Sequence, residues 1–515
     1  MWGCIATVLA IALLGVPTAA SANTITVDDA SDPDGAGCTL EHAIIAANTN
    51  MASGNCSTGS GSGTDVINFD LTGLTTITLT GALPDITTNI DIVGPGSSQV
   101  SVSGDGKFRP FRYTNGSTVN SISGLNVTDG FCDDTCPGGA AGAGIFTSGT
   151  LTLTDVTVTA STAAVAGGTN AFPVGGGILN NGGTLHLVLS TVSGNTASAT
   201  NATNQNGPEG GGIWNTGTLT LDRSTVSGNQ ALASAGTGNS TNAIGGAIDQ
   251  FTGSISISRS TISGNSASGT GGTANNTAVG GGIAVGNAMN ITVTLDRTTV
   301  SGNSVSAGAP NSNQNAGGIQ ASGIAGSAFT VVSSTISGNT SPTGAANLIF
   351  GGETQSIKNS IISHPLGGGV NCGSASTASQ GFNLEDANTC GFGQPTDKPN
   401  TNPMLDASLA DNSGPTPTLA LLTGSPAIEA GGSSPGETTD QRGLLRPSDD
   451  ISVMTAPGSD GSDIGAFEVQ GQPFPAPPTT TTTTPPTTTA TRKKKCKKRK
   501  HRAAAAKKKC RKKKK

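Results

Sequence analysis

GGGIWNTGTLTLDRSTVSGN, residues 210–229, holds most of one unit of a pattern that the chain repeats. Its last phrase recurs as STVSGN at 190–195 and 224–229, STISGN at 260–265 and 334–339, and TTVSGN at 298–303, so successive starts lie 34, 36, 38 and 36 residues apart. Its first phrase recurs as GGGI ending at Ile178, Ile213 and Ile283, GGAI ending at Ile248, and AGGI ending at Ile319. Between the two phrases lies a short run with alternating aliphatics: Leu185/Leu187, Leu219/Leu221, Ile255/Ile257 and Val293/Leu295. Self-similarity at this period marks an architecture of stacked repeats.

Alternation of period two puts the aliphatics on one face of a strand and Thr or Ser on the other. Glycine and β-branched residues disfavour helix at this length. A unit of this kind cannot bury its apolar face alone, but stacked copies can. The expected columns are an inward ladder of Val192, Val226, Ile262, Val300 and Ile336, and a turn with positive φ at Gly194, Gly228, Gly264, Gly302 and Gly338. A stack of Asn195, Asn229, Asn265, Asn303 and Asn339 follows, with amides bonding from rung to rung. The Ala/Ser/Thr/Asn-rich remainder of each unit, such as 198–207, reads as loops extruded from one corner. The fold class is therefore all-β, a right-handed parallel β-helix, the hand following from the strong default for parallel crossovers.

Working outward, 65–69, 75–79, 90–93 and 100–102 read as less regular rungs. The helical signal LEHAIIAAN at 40–48 suits a cap over the open N-terminal edge, and 401–470 lacks the repeat and is expected to cap the other end. The organisation is then 1–22 a signal peptide, 23–64 the N-terminal cap, 65–400 the coil, 401–470 the C-terminal cap, 471–491 a Thr/Pro-rich linker and 492–515 a Lys-rich tail. An apolar stretch before Pro17 and the small-residue site Ala20-Ser21-Ala22 supports export, and is too short for a membrane span.

Aromatics are 3% and Gly 76 of 515, so packing by large rings is excluded. Residues 492–515 carry 17 of the 27 Lys+Arg and no acid, leaving the rest at 10 − 32 = −22. Such asymmetry points to a polyanionic partner for the tail, and behind an export signal that partner is an anionic cell-wall or envelope polymer, not nucleic acid. The cysteine neighbours Cys38/Cys56, Cys132/Cys136 and Cys372/Cys390 suit disulfides in an oxidising compartment, although six cysteines allow 15 connectivities. Cys496 and Cys510 stand in the tail.

CTLEHAI at 38–44 with Ala46-Ala47-Asn48 resembles the CSLREA-type motif of bacterial surface β-helix proteins, with Glu41-His42 where that family has Arg-Glu. NPMLDASLADNSGPTPTLALLTGSPAIEAG (402–431), DQRGLLRP (440–447) and DIGAFE (463–468) are similar to the choice-of-anchor C-terminal domain, with Leu419 where His is common and Glu429 where Asp is usual. The resemblance covers nearly all of 23–470. It implies a fold shared with pectate lyases and surface display, without a known reaction.

Catalysis on such a coil needs clustered carboxylates. Asp222, Asp249 and Asp296 read as isolated, Asp133-Asp134 as a solvated loop between cysteines, and His186 and His364 as lone imidazoles. No catalytic residue or cofactor is assigned. Arg223, Arg259 and Arg297 occupy one slot on three successive rungs and could bind an acidic glycan. Asp28, Asp29, Asp32 and Asp34 partly echo a structural Ca2+ loop, with Ala30 in the first ligand position. The preferred reading is a non-enzymatic secreted or cell-surface β-helix held by its tail. Its alternatives are a glycan-binding adhesin and a divergent polysaccharide lyase or hydrolase.

Overall fold

The computed structural model describes residues 22–471 apart from 33–34, 237–239, 287–288, 310–311, 323–325, 352–353 and 374–378. The export signal before Ala22, Asp34, the Thr/Pro stretch beyond Gly471 and the basic tail with Cys496 and Cys510 lie outside those residues. Successive units stack in parallel, three walls to a coil. In the first wall Thr218–Asp222 lies between Thr184–Val188 and Ser254–Ser258, with Leu219 opposite Leu185 and Ile255. In the second, Thr225–Ser227 lies between Thr191–Ser193 and Thr261–Ser263, with Val226 opposite Val192 and Ile262. In the third, Ile213–Asn215 lies between Ile178–Asn180 and Ile248–Gln250. The SGN phrases therefore stand one above another, and Val192, Val226, Ile262, Val300 and Ile336 are all fully buried in one continuous core. The chain is a parallel β-helix.

Two corners keep the coil in register. After the second wall, Gly194, Gly228, Gly264, Gly302 and Gly338 take φ between 63° and 71°, a conformation that costs a glycine little. The next residue is the buried asparagine. Asn195 Nδ2 donates to Asn229 Oδ1 at 2.9 Å, Asn229 to Asn265 at 2.9 Å, Asn265 to Asn303 at 2.8 Å and Asn303 to Asn339 at 3.0 Å. Each Oδ1 also accepts the backbone amide of the asparagine one rung before it. Every rung thus satisfies the polar groups its neighbour buries. Between the first and second walls, Leu189, Arg223, Arg259, Arg297 and Ser333 adopt φ of 44° to 51°, a left-handed corner imposed on whatever side chain stands there.

The stretches read as loops are strands. Gln230–Ser234 leaves the coil and Ser240–Ile244 returns to it, and the equivalents on other rungs build two further parallel sheets of six and five strands. Ala231, Ala233, Ala243, Ala267, Ala278 and Val305 pack between them. This side wing alternates Ala with Ser or Thr at period two, but one methyl per inward position gives too weak a hydrophobic signal to read as strand. The wing also explains the glycine phrase. A Cβ on Gly211 would fall 2.3 Å from the carbonyl carbon of Gln230 and 2.4 Å from the oxygen of Gly246, so only glycine lets the returning chain pass the departing one.

At the N-terminal end, Leu40–Thr49 is a helix whose N-cap Thr39 accepts from the His42 amide. Leu40, Ala43, Ile44, Ala46 and Ala47 are buried in the core, and Asn48 ties the helix down through the Asp85 carbonyl and the Thr87 amide. At the other end Cys372, Cys390 and Phe392 close the same core. The following segment does not simply lie across that end. It runs back along the outside of the second wall: Pro417 accepts from Thr261, Gln441 bonds Thr261 and Thr299, and Ala466 donates to Thr335. Hydroxyls exposed on a bare wall gain partners there, and Leu405, Leu419, Leu421, Ile428 and Ile464 form a second small core over Ile361 and Leu384.

Candidate functional site

The arginine column stands where the repeat puts it, but its charge is spent. Arg223 Nε donates to Asp222 at 3.0 Å, and Arg259 reaches the other oxygen of the same carboxylate at 2.6 Å. Arg297 chelates Asp296, donates to the Thr439 carbonyl at 3.2 Å and lies 4.0 Å from Glu437. Asp222 and Asp296 are therefore not isolated. Three guanidinium groups face three carboxylates, and the C-terminal segment covers the third arginine, so the column is no open cationic ladder for an acidic glycan.

Nor do the described N-terminal aspartates, Asp28, Asp29 and Asp32, converge. Asp28 accepts the Cys38 amide, Asp29 the amides of Ser31 and Gly37, and Asp32 the Thr80 amide. The bonds from Ser31 and Gly37 hold the Asp29 carboxyl down at about 2. Among the described residues no cluster of three His, Cys, Asp or Glu could hold a metal. Cys38–Cys56, Cys132–Cys136 and Cys372–Cys390 are disulfides. Asp133 accepts from its neighbour Thr135 inside the second of these loops. His186 lies between Thr152 and Thr220 in the outward column of the first wall.

His364 stands at a left-handed corner with φ of 50°. Its Nδ1 lies 3.1 Å from Ser363 Oγ and 3.4 Å from Ser337 Oγ, beside a cleft of about 330 Å3 that Leu366, Leu405, Asp406 and Leu419 also line.

One arrangement escaped the sequence reading. On the outer face of the third wall Phe146, Leu179, Trp214, Asp249 and Ala284 form one column. Beside it the returning wing chain stacks Ala141, Val174, Glu209 and Ile244. Both columns are mostly apolar, and they switch to a carboxyl on adjacent rungs, Glu209 on the rung of Trp214 and Asp249 one rung later beside Ile244. Glu209 and Asp249, 40 residues apart in sequence, come side by side, and Trp214 Nε1 donates to Glu209 Oε2 at 3.0 Å. Asp249 is 2% exposed, its Oδ1 has no partner, and burial with Glu209 alongside holds its carboxyl well above the ordinary range. Burial raises the Glu209 carboxyl as well. The Phe251 ring, 47% exposed, lies 5.7 Å from Trp214 at an interplanar angle of 32°. Phe172, 49% exposed, lies over the backbone of Gly207, two residues before Glu209. The signal available in the sequence was Trp214 itself, the one tryptophan inside the repeats.

The C-terminal motif residues make a buried network of their own. Arg446, fully buried, donates to Glu468 at 2.8 Å and to the carbonyls of Asp463 and Gly465. Arg442 pairs with Asp440 and stacks 3.7 Å from the Phe467 ring centroid. DQRGLLRP and DIGAFE are thus halves of one clasp that holds the segment to the coil.

No family model matches the chain, and none of the curated proteins matches it. Among solved structures, the crystal structure of pectate lyase Pel9A is similar over 87% of this chain and 97% of its own, at 14% identity and a TM-score of 0.44. A likeness of that size bears on no residue and no reaction here.

Proposed function

We propose that this chain is a non-enzymatic, exported surface protein: a rigid β-helical rod displayed on the Thr/Pro stretch 471–491 and retained by 492–515 on anionic wall or envelope polymers. The charge separation carries the reading, with 17 cationic residues in the tail against −22 elsewhere. The pairing within the rod supports it. Arg223, Arg259, Arg297, Arg442 and Arg446 all meet carboxylates among the described residues, so these five do not add to an open cationic surface on the rod. The motifs at 38–48 and 402–468 fit the same picture through their resemblance to CSLREA-type and choice-of-anchor surface proteins.

Fractionation of cells carrying the full chain and a chain ending at 491 tests this. The full chain should partition with the envelope and leave it in high salt, where charge attraction is screened, and the truncated chain should appear in the medium. Retention of the truncated chain would overturn the tail's role. Unsaturated or reducing-end products from pectin or alginate would replace the non-enzymatic reading with a lyase or hydrolase.

A further inference from the structure

A rod of this kind has no structural need for Glu209 and Asp249. In their columns the neighbouring rungs carry Val174 and Ile244 on either side of Glu209, and Trp214 and Ala284 on either side of Asp249. Setting two carboxyls into an apolar strip carries a desolvation penalty, and such local departures from a repeat mark functional places more often than structural ones. The departure coincides with two others. Trp214 replaces the Leu179 of the previous rung, and Phe251 exposes its ring in water beside it. Trp214 is held at a fixed angle by its bond to Glu209, and a fixed indole loses little freedom when a ligand stacks on it.

We propose that Trp214, Phe251 and the Glu209–Asp249 pair form a binding site for a neutral pyranose chain. The two rings, tilted by 32°, offer adjacent apolar surfaces to the C–H faces of consecutive sugars. A carboxyl donates when protonated and accepts when ionised, which matches a hydroxyl that does both. Asp249 Oδ1, buried and without a partner, is the acceptor left over for that exchange. A uronic acid chain is disfavoured, because its carboxylates would approach two acids on a body of −22. The inference goes beyond surface display and does not rest on it, since soluble sugars probe it without the tail.

The test uses the full chain carrying Trp2→Phe, so that Trp214 is its one indole. Tryptophan emission is followed on titration with cellohexaose, laminarihexaose and mannohexaose, and with hexagalacturonate as the anionic probe. The expected result is a saturable blue shift with at least one neutral hexasaccharide and none with hexagalacturonate. Phe251→Ala, at a half-exposed position that leaves the core untouched, should weaken that binding about tenfold, and Glu209→Gln should weaken it as well. No saturable change with any of the three neutral sugars overturns the proposal. So does an equal response to hexagalacturonate, or unchanged affinity in the Phe251→Ala chain.

Discussion

The coil and its side wing are built on the same parallel register, yet they are held together by different means. In the coil, Val192, Val226, Ile262, Val300 and Ile336 stack as large β-branched side chains, flanked by a continuous amide ladder. In the wing the inward positions are Ala231, Ala233, Ala243, Ala267 and Ala278. Each buried methylene is worth about 0.8 kcal/mol, so the alanine layer gains far less per rung and depends more on its ladder hydrogen bonds. The lesson is that one solenoid can combine a core strong enough to set its register with a weaker layer that inherits that register through the glycine crossing.

The strongest way to break the comparison is through the ladder. Asn265 accepts the Asn229 amide and Nδ2 and donates to the Val226 carbonyl and to Asn303. Asn265→Ala strands several buried groups at once and should cost about 4 kcal/mol in chemical denaturation. A loss below about 1 kcal/mol would mean that the ladder is ornamental.

A paired substitution then sharpens the contrast. Ile262→Ala should cost about 3 kcal/mol, as large-to-small changes in close-packed cores do. Ala267→Gly, one wing position on the same rung, should cost about 1 kcal/mol. Equal losses would show the two layers to be energetically alike.

The smallest effect lies at the seam where wing meets wall. The folded state holds a proton on Asp249 and Glu209 that the unfolded chain releases above about pH 4. The pair's contribution to stability is therefore complete below that pH and is lost as pH rises towards the folded value. Asp249→Asn keeps the shape without the charge, and should raise stability over the wild type by about 1 kcal/mol or more at pH 8 while matching it at pH 4. An identical pH profile in both chains would place the proton elsewhere.

These contrasts also explain what the sequence made legible. Stacked copies of one phrase repeat their side chains in columns, so the aliphatic ladder, the left-handed glycines and the asparagine stack could all be named by residue. The wing could not, because Ala-Ser and Ala-Thr alternation lacks the hydrophobic contrast that marks a strand. The carboxyl pair escaped for another reason. Glu209 and Asp249 are 40 residues apart and meet only because the wing returns beside the third wall, a path the loop reading did not contain. The arginines fall on successive rungs, but the full set of their partners could not be read from one rung. Asp222 serves two rungs at once, and Glu437 and Thr439 arrive from a segment expected at the end of the coil.

The central claim is that consecutive units sit in register, like residue over like residue. Cross-linking tests it most directly, with the tail thiols removed by Cys496→Ser and Cys510→Ser. Thr220 and Ser256 are register partners on the outer face of the first wall, whose strands lie about 4.8 Å apart, within disulfide reach. The Thr220→Cys/Ser256→Cys chain should close a bond under mild oxidation, while Thr220→Cys/Ser258→Cys, offset by two residues and so about 8 Å apart, should stay reduced. Closure of the offset pair in preference to the aligned one would contradict the stacking on which the fold depends.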